Sequence, residues 1–529
     1  MGDKVFPLLK FSYDNLPSQK VRSCFLYCAL FPEDFVILKD DLVYFWMCED
    51  ILDEYGNVEE AKNESYHIIG ILLTSCLLED EGDSVKMHDV IRDMALWLAR
   101  DLGKEGENIL VDTCAYHAPN IAKWKNAKRV SLMGSNGIIS LDETPRSPNL
   151  LTLFLRGRFL KRIVDDFFDF MPTLRVLDLS ENFLITQLPT GVANLVSLQH
   201  LNLSKTGIKW LPVELAKCAS LKYLNLEYTR RLDYVPPNLL SSFPLLKVLR
   251  ILDCGSSNRV FFYNEKTMIN ELQGLKHLDV LSLTVVRGTS CFQNLDSHHI
   301  LVTCTLTLCL TGEDYENPSS YLDLSDVAMA NMKYLDTLQI KHVVDVYSTW
   351  ITRLENQNCF LGLQFVQVRN CTNLKNLEWL IFAPNLSHLH VECCSKMTGI
   401  LGLNTTETTP FAKLTILRLD DLPCLWRICK NPLPVPFLKK ILISRCPVLT
   451  RLPLNSSSAQ TSNLIIEGEE KWWNGLEWED QAARNVFLPC FRPLSELQLM
   501  IQVYKLIEPP LLGVKDVSIM DFDTTKFKR

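Results

Sequence analysis

The pair His88–Asp89 is the place in this sequence where residue types and spacing best suit reactive chemistry. It lies in the stretch SVKMHDVIRDMALWLA, directly before a run with the helical spacing of apolar residues. A histidine beside a carboxylate can transfer protons or bind a metal ion, and an aspartate at the start of a helix can cap it. Which of these roles the triplet Met87-His88-Asp89 has depends on the elements that surround it.

Motifs that assemble a catalytic or phosphate-binding site are missing from the printed sequence. It has no G-x-x-x-x-G-K-[ST], no G-x-G-x-x-G, no G-x-S-x-G and no H-E-x-x-H. The ten histidines are scattered, and neither His298-His299 nor His388-x-His390 has carboxylates or thiols at a metal-ligand spacing. The sequence therefore predicts neither an enzyme active site nor a metal site.

Helical periodicity dominates up to about residue 100. In SQKVRSCFLYCALFPED, Ser18 can cap a helix whose apolar residues recur at the spacing of one face. Two further helical runs follow, LKDDLVYFWMCEDIL and NVEEAKNESYHIIGILLTSCLLED, and then EGDSVKMHD has the turn residues of a hairpin. Helices with a small hairpin predict a winged-helix domain over residues 1–110, and a cap of its last helix by Asp89 is one of the roles open to that residue.

From about residue 127 a short leucine-rich phrase returns, as in LRVLDLSEN and LQHLNLSKT. Intervals of 23 to 32 residues separate its fourteen central aliphatic residues: Val130, Leu153, Leu177, Leu201, Leu224, Leu249, Leu281, Leu306, Leu338, Val366, Leu389, Leu417, Ile441 and Leu464. Most intervals are those of leucine-rich repeats, whose strands stack into a parallel solenoid. The predicted fold combines α and β structure: a helical winged-helix domain, a linker (111–126), a leucine-rich-repeat solenoid shaped as a parallel β horseshoe (127–488), and an atypical tail (489–529).

Small polar or thiol residues occupy one repeat position, five residues after the central aliphatic residue. They are Asn182, Thr206, Thr229, Cys254, Cys371, Cys394 and Cys446. At this position a side chain is expected to turn inward and bond to the backbone of the next coil. One cysteine per coil does not form facing pairs, so the spacing predicts free thiols rather than disulfides or a metal site.

Residues between the fixed leucines are expected to be exposed on the concave strand face of the solenoid. Such faces bind macromolecules, and their residues can vary without unfolding the repeats. The candidate partner-binding residues on the early repeats form a mixed polar and aromatic set: Asp178, His200, Asn202, Tyr223, Asn225 and Arg250.

Charge and composition narrow the class of protein further. The net charge is −8, and residues 1–100 hold nine lysines and arginines against nineteen aspartates and glutamates. An acidic first domain disfavours nucleic acid as a partner, including for a DNA-binding winged helix. The sequence shows no signal peptide and no apolar run long enough to span a membrane, and its eighteen cysteines favour a reducing compartment. A cytoplasmic protein is predicted.

Three ordered segments, together with the repeats, resemble one known family. CFLYCALFPED, LVYFWMCEDIL and KMHDVIRDMALWLA are similar to the winged-helix segment of plant nucleotide-binding leucine-rich-repeat disease-resistance proteins of the coiled-coil class. The resemblance covers roughly residues 1–490 and also includes the ending WWNGLEWEDQAARNVFLPCF. It identifies Met87-His88-Asp89 as the family's MHD motif, in which the histidine reaches the phosphates of bound ADP and the aspartate supports that loop.

The resemblance also implies partners and a cofactor. The partner would be a pathogen effector or a guarded host protein, and the repeats would contact the nucleotide-binding module within the same chain. ADP or ATP with magnesium is the family's cofactor. Because the phosphate loop is not in the printed sequence, we expect no nucleotide binding by this chain alone. The resemblance is also compatible with peripheral association with the plasma membrane.

The missing phosphate loop departs from the family pattern. We interpret the sequence as a shortened form of such a receptor, either a truncated gene product or a natural short form. Its expected role is recognition and autoinhibitory contact, without chemistry of its own. The alternative function is a leucine-rich-repeat adaptor that presents substrates to a ubiquitin ligase, although CFLYCALFPED matches the immune family better than a ligase-binding helix. The last stretch, from Arg492 onward, matches no pattern of the family.

Overall fold

The structure is a computed structural model of the 529-residue chain. The description below covers these residues: 2–52, 56–101, 108–112, 120–133, 138–157, 159–255, 265–286, 299–312, 321–323, 332–343, 345–347, 360–401, 410–433, 435–454, 464–478 and 481–495. The chain divides into two compact units. Of the described residues, the first unit comprises those up to 249 and 275–279, and the second comprises those within 250–274 and 280–495.

The first unit begins with five helices and a small antiparallel sheet. The helices are α1 (Gly2–Asp14), α2 (Gln19–Cys28), α3 (Lys39–Cys48), α4 (Val58–Thr74) and α5 (Asp89–Asp101). The sheet has the order β1–β3–β2, from β1 (Ile37–Leu38), β2 (Glu79–Glu81) and β3 (Ser84–Lys86). A hairpin packed beside helices is the predicted winged-helix domain. The Ser18 hydroxyl accepts a hydrogen bond from the Val21 N–H (3.3 Å), which confirms the predicted cap of α2.

Helix α3 is buried on every side from Leu42 to Cys48, and Trp46 has no exposed surface. An amphipathic surface helix would leave one face polar. In the structure α3 contacts α4 on one side and the strands of the repeats on the other. This packing on both sides explains why the sequence LVYFWMC has no polar face. This helix therefore joins the winged-helix core to the repeat core.

The repeats of the first unit form a parallel sheet with one short strand from each coil. Its strands, in spatial order, are β4 (Ile109–Val111), β5 (Arg129–Ser131), β7 (Thr152–Phe154), β9 (Val176–Asp178), β10 (His200–Asn202) and β11 (Tyr223–Asn225). Strand β12 (Val248–Ile251) follows where the chain passes from the first unit to the second. Strands β6 (Ser140–Leu141) and β8 (Arg162–Ile163) pair with each other. Short 3₁₀ segments lie at Ile121–Asn126, Thr190–Asn194, Val213–Lys217 and Leu240–Ser242.

The sheet begins earlier than the sequence predicted. Leu110 of β4 pairs with Val130 of β5, so the sheet already includes the end of the predicted winged-helix domain and the start of the predicted linker, 111–126. Trp124, in that linker, is fully buried. The predicted start of the repeats at residue 127 was wrong. The first strand of the sheet, β4, is short and lacks the leucine-rich phrase by which the repeats were recognised.

The second unit continues the same type of repeat. Its parallel sheet contains β13 (Val280–Val286), β14 (Thr305–Thr311), β16 (Thr337–Lys341), β18 (Phe365–Arg369), β19 (His388–Glu392), β20 (Ile416–Asp420), β21 (Lys440–Ser444), β22 (Ile465–Gly468) and β23 (Phe491–Pro493). Strands β15 (Tyr321–Asp323) and β17 (Asp345–Tyr347) form a separate pair. The helices are α6 (Glu265–Gly274), α7 (His299–Cys304), α8 (Glu470–Asn474) and α9 (Gln481–Phe487), with 3₁₀ segments at Glu378–Phe382 and Leu488–Cys490. Because β23 pairs with β22, the sheet extends past the predicted end at residue 488.

The predicted register holds for most coils and fails at three. Val130, Leu153, Leu177, Leu201 and Leu224 are successive partners, and so are Leu338, Val366, Leu389, Leu417 and Ile441. At three further coils the aligned residues are Leu283, Leu308 and Ile466 instead of Leu281, Leu306 and Leu464, and the change to Leu283 follows a register shift between Leu281 and Ser282. Each of these errors is a shift of two residues, which keeps a side chain on the same face of a strand.

Nine coils turn after their strands at a residue with a left-handed backbone. The residue four positions after the central aliphatic has φ between 50° and 63° at Glu181, Lys205, Tyr228, Asp253, His342, Asn370, Cys393, Asp421 and Arg445. The next residue points inward, as predicted. The Asn182 amide donates to the carbonyl oxygens of Leu155 (2.8 Å) and Leu179 (2.9 Å). Leu155 belongs to the preceding coil rather than the next one, which corrects the expected direction.

The cysteines at this position are buried, and none of the cysteines in the described ranges forms a disulfide. The Cys446 thiol contacts the Leu419 carbonyl oxygen of the preceding coil (3.9 Å). Burial raises the pKa of Cys446 to about 12, so the thiol is protonated at neutral pH. Within the same ranges, no three His, Cys, Asp or Glu side chains are grouped as metal ligands.

Replacing Asn182 with alanine is expected to lower the free energy of unfolding by about 1–3 kcal/mol, because two buried carbonyl oxygens lose their donor. Urea denaturation followed by tryptophan fluorescence measures the change. The matched control is Asn194→Ala, whose exposed amide donates only to the Asp169 carboxylate (2.8 Å) and whose loss should cost less than about 0.5 kcal/mol. Equal effects of the two substitutions would contradict the inward role of Asn182.

Candidate functional site

The triplet Met87-His88-Asp89 lies where β3 passes into α5. Met87 is buried, whereas the side chains of His88 and Asp89 are each 58% exposed. The His88 Nδ1 atom contacts the Asp89 carboxylate, and the Val90 N–H donates to the same carboxylate (2.6 Å). The aspartate can therefore orient the imidazole through Nδ1, which leaves Nε2 for a group outside this loop.

The expected cap of α5 by Asp89 is wrong in its geometry. The helix begins at Asp89, and the carbonyl oxygen of His88 accepts from the Arg92 N–H (2.9 Å), so His88 is the residue before the first turn. Asp89 is the first helical residue, and its carboxylate binds the N–H of the neighbouring Val90 and the His88 Nδ1 atom. Its negative charge still lies in the first turn, where the helix dipole favours it.

The six candidate residues of the strand face do not share one environment. Asp178, His200, Tyr223 and Asn225 are at most 5% exposed, so the expectation that they face solvent was wrong. Asn202 is half-buried, and its side chain accepts from the Ser204 N–H (3.1 Å). Arg250 is also half-buried and belongs to the second unit.

Two of the buried residues, His200 and Tyr223, pack against aromatic side chains of helix α3. The rings of His200 and Tyr223 are stacked with centroids 4.1 Å apart. Phe45 lies 4.9 Å from His200, and Tyr44 lies 5.0 Å from Tyr223. The winged-helix domain therefore covers the strand face at these repeats, and water does not reach it.

Asp178 and Asn225 are held by bonds within their own coils. The Asp178 carboxylate accepts from the Ser180 N–H (2.8 Å), and burial raises its pKa although the nearby Arg156 guanidinium opposes that shift. The Asn225 amide donates to the Tyr223 hydroxyl (3.2 Å), and its oxygen accepts from the Glu227 N–H (2.9 Å).

A buried ion pair anchors the end of α3 to the first strands. Glu49 follows the helix, and its side chain is 1% exposed. Its carboxylate accepts from Arg129 of β5 (Nε, 2.7 Å) and from the Thr152 hydroxyl of β7. Arg129 also lies over the Tyr27 ring, 5.4 Å from its centroid. Burial removes the hydration of the Glu49 carboxylate, and these charged and polar groups compensate for that loss.

The next residue, Asp50, binds a column of polar side chains on successive coils. Its carboxylate contacts Arg175 (3.0 Å) and Lys222 (3.1 Å), and it accepts from the Gln199 amide (3.0 Å). Each of these three residues lies two positions before the central aliphatic residue of its coil. Lys247 occupies the same position one coil later and donates to the Gly56 carbonyl oxygen (2.5 Å). We call these four residues the basic column, although Gln199 among them is neutral.

Sequence reasoning missed the acidic pair Glu49–Asp50 and the basic column. A signal for both was present. The pair ends an otherwise apolar helix, and lysine or arginine recurs at one repeat position. Neither feature alone indicates a contact, because solvated charges at a helix end or on a strand face are common.

Two family models match the chain. Residues 30–95 match the "Disease resistance protein Winged helix domain", and residues 166–453 match the "Leucine-rich repeat region". The first match contains the acidic pair and the triplet Met87-His88-Asp89, and the second contains all four residues of the basic column. No helix in the described ranges combines the length and apolar character needed to cross a membrane.

Curated relatives agree with both models over nearly the whole chain. A probable disease resistance protein of Arabidopsis thaliana is 41% identical over 94% of this chain and 55% of its own length. The Arabidopsis thaliana disease resistance proteins SUMM2 and RPS5 are 38% and 35% identical, each over 93% of this chain and 55% and 56% of their own lengths. This chain thus spans about half the length of the relatives it matches. It belongs to the plant disease-resistance protein family, and it carries that family's winged-helix domain and leucine-rich repeat region.

Proposed function

We propose that this chain is the sensing and restraining region of a plant immune receptor that acts inside the cell. The repeats would recognise a pathogen effector or a guarded host protein, and the winged-helix domain would transmit that event. The packing of α3 on the strand face carries the proposal, because the same face cannot hold the winged helix and a partner at once. The role is recognition and restraint rather than catalysis.

Competition for the strand face follows from the burial of His200 and Tyr223. Both rings contact α3, so a partner that binds them must first displace the winged-helix domain. A partner's binding energy at this face would therefore be coupled to release of the domain. Asn202 is half-buried and would contribute to a contact made before that release.

The exposed His88 side chain supports a proposed second contact, to a nucleotide held by another part of a receptor. ADP carries phosphate charge, and an imidazole oriented by Asp89 can offer one hydrogen bond or one positive charge to it. A single side chain would not retain a nucleotide, since phosphate affinity comes mainly from a glycine-rich loop and a bound metal ion. His88 and Asp89 therefore fit a sensing role better than a binding site of their own.

Reversing the charge of Lys222 tests the restraint. In Lys222→Glu a carboxylate faces Asp50 in place of an ammonium group 3.1 Å away, so the winged-helix contact is expected to weaken. The variant would be expressed in leaf tissue as a fusion to the part of RPS5 that this chain does not match, and cell death would be measured as ion leakage without any pathogen. We expect a several-fold rise in leakage over the unchanged fusion.

The matched control is Lys217→Glu, which makes the same charge change at an exposed residue of the same coil. It should leave leakage at the level of the unchanged fusion. If Lys222→Glu accumulates to the same level and also leaves leakage unchanged, the proposed restraint through the basic column is wrong.

A further inference from the structure

Two aromatic side chains project side by side from consecutive coils of the first unit. Trp210 and Tyr234 occupy the same repeat position and form a parallel bridge, and the Leu211 N–H donates to the Tyr234 carbonyl oxygen (3.1 Å). The two side chains are 44% and 55% exposed. They lie at the segment before the 3₁₀ turns of the repeats, away from the short strands of the sheet.

The repeat fold does not require aromatic residues at this position. The preceding coil has Gln187 there, and the neighbouring Leu188 and Leu211 supply the buried contacts. Neighbouring large apolar side chains that are exposed and that the core does not use often mark an interaction surface. Trp210 and Tyr234 are therefore free to serve an interaction.

Prolines and carboxylates complete a groove around the two rings. Pro212 and Pro236 lie on it, and its volume is about 640 Å³. Its only charged lining side chains within the described ranges are Asp165 and Glu214. Val213, 64% exposed, extends the apolar surface at one side. The groove thus combines rigid apolar walls with negative charge.

We propose that this groove binds an extended peptide segment that contains proline and at least one lysine or arginine. Extended proline-rich segments have a preformed polyproline II backbone, and they dock in grooves lined by aromatic rings. The exposed indole N–H and phenol can donate to the carbonyl oxygens of such a segment, which are not used in hydrogen bonds of its own. The carboxylates of Asp165 and Glu214 select a basic residue beside the prolines.

Fluorescence anisotropy of a labelled ten-residue peptide tests the proposal on the full chain. The peptide has proline at alternate positions and arginine at both ends. Trp210→Ala and Tyr234→Ala are each expected to weaken binding about tenfold, as is typical when a central aromatic contact is removed. The matched control is Trp426→Ala, which removes a 47% exposed tryptophan in the second unit and should leave binding unchanged.

Two further peptides distinguish the contribution of the aromatic rings to binding from that of the carboxylates. Alanine in place of every proline should abolish measurable binding, and glutamate in place of both arginines should weaken it more than tenfold. Glu214→Gln should remove most of the preference for arginine over glutamate. Absence of binding by the arginine–proline peptide, or equal losses for Trp426→Ala and Trp210→Ala, would overturn the proposal. Circular dichroism of each variant confirms that the fold is retained.

Discussion

Replacing Glu49 with alanine is expected to lower the free energy of unfolding by about 3–5 kcal/mol. The substitution leaves the Arg129 guanidinium, 5% exposed, without its carboxylate partner and deprives the Thr152 hydroxyl of its acceptor. Breaking one side of a buried pair costs far more than the pair itself contributes, because the remaining charge is neither hydrated nor neutralised. The winged-helix domain is therefore expected to loosen from the first strands before the repeats unfold.

Guanidinium denaturation followed by the fluorescence of the buried Trp46 and Trp124 measures this loss. Glu81→Ala is the matched control, because it removes a 42% exposed carboxylate of the same domain that pairs with Lys86 (3.3 Å). Its cost should stay below about 1 kcal/mol. A double variant, Glu49→Leu with Arg129→Met, should recover most of the lost stability, since apolar residues of similar volume can replace a buried pair. A Glu49→Ala loss no larger than that of Glu81→Ala would mean that water reaches Arg129.

Leu201→Asp is expected to abolish cooperative unfolding of the first unit. Leu201 has no exposed surface and aligns with Leu177 and Leu224 on the neighbouring strands. Removing most of its side chain costs about 2–5 kcal/mol, and placing an unpaired carboxylate there costs several more. The sum approaches the whole stability of an ordinary domain, which is about 5–15 kcal/mol.

Circular dichroism and a melting curve provide the measurement, and Leu201→Met is the matched control. Methionine keeps the volume and the apolar character, so its cost should stay below about 1.5 kcal/mol. A sharp transition for Leu201→Asp at the midpoint of the control would show that the central aliphatic position is not in the core.

The repeat architecture could be predicted because it depends on local sequence. Leu177, Leu201 and Leu224 recur within short coils, and each is followed by polar residues that mark the turn. The register failed where that local contrast is weak. Around Leu306 and Leu308 apolar residues alternate, so a strand starting two residues later presents an equally apolar face. At Leu464 three apolar residues are consecutive, and the pairing with Ile441 falls on Ile466.

The contact between the winged helix and the repeats could not be predicted in the same way. Glu49 and Arg129 are far apart in the chain, and no local pattern relates them. The strand face was expected to be open because the repeat period determines which residues leave the core but not what covers them. His200 and Tyr223 follow the pattern of surface residues, and only the packing of α3 makes them interior.

The covered strand face restricts how members of this family can diversify. A residue on an open recognition surface can change alone, whereas His200 and Tyr223 are each tied to a ring of α3. A bulkier side chain at either position would have to be matched by a smaller one at Phe45 or Tyr44, or the domain would be displaced. Drift at these positions should therefore proceed by compensating pairs, whereas a residue without a ring partner on α3 can change alone.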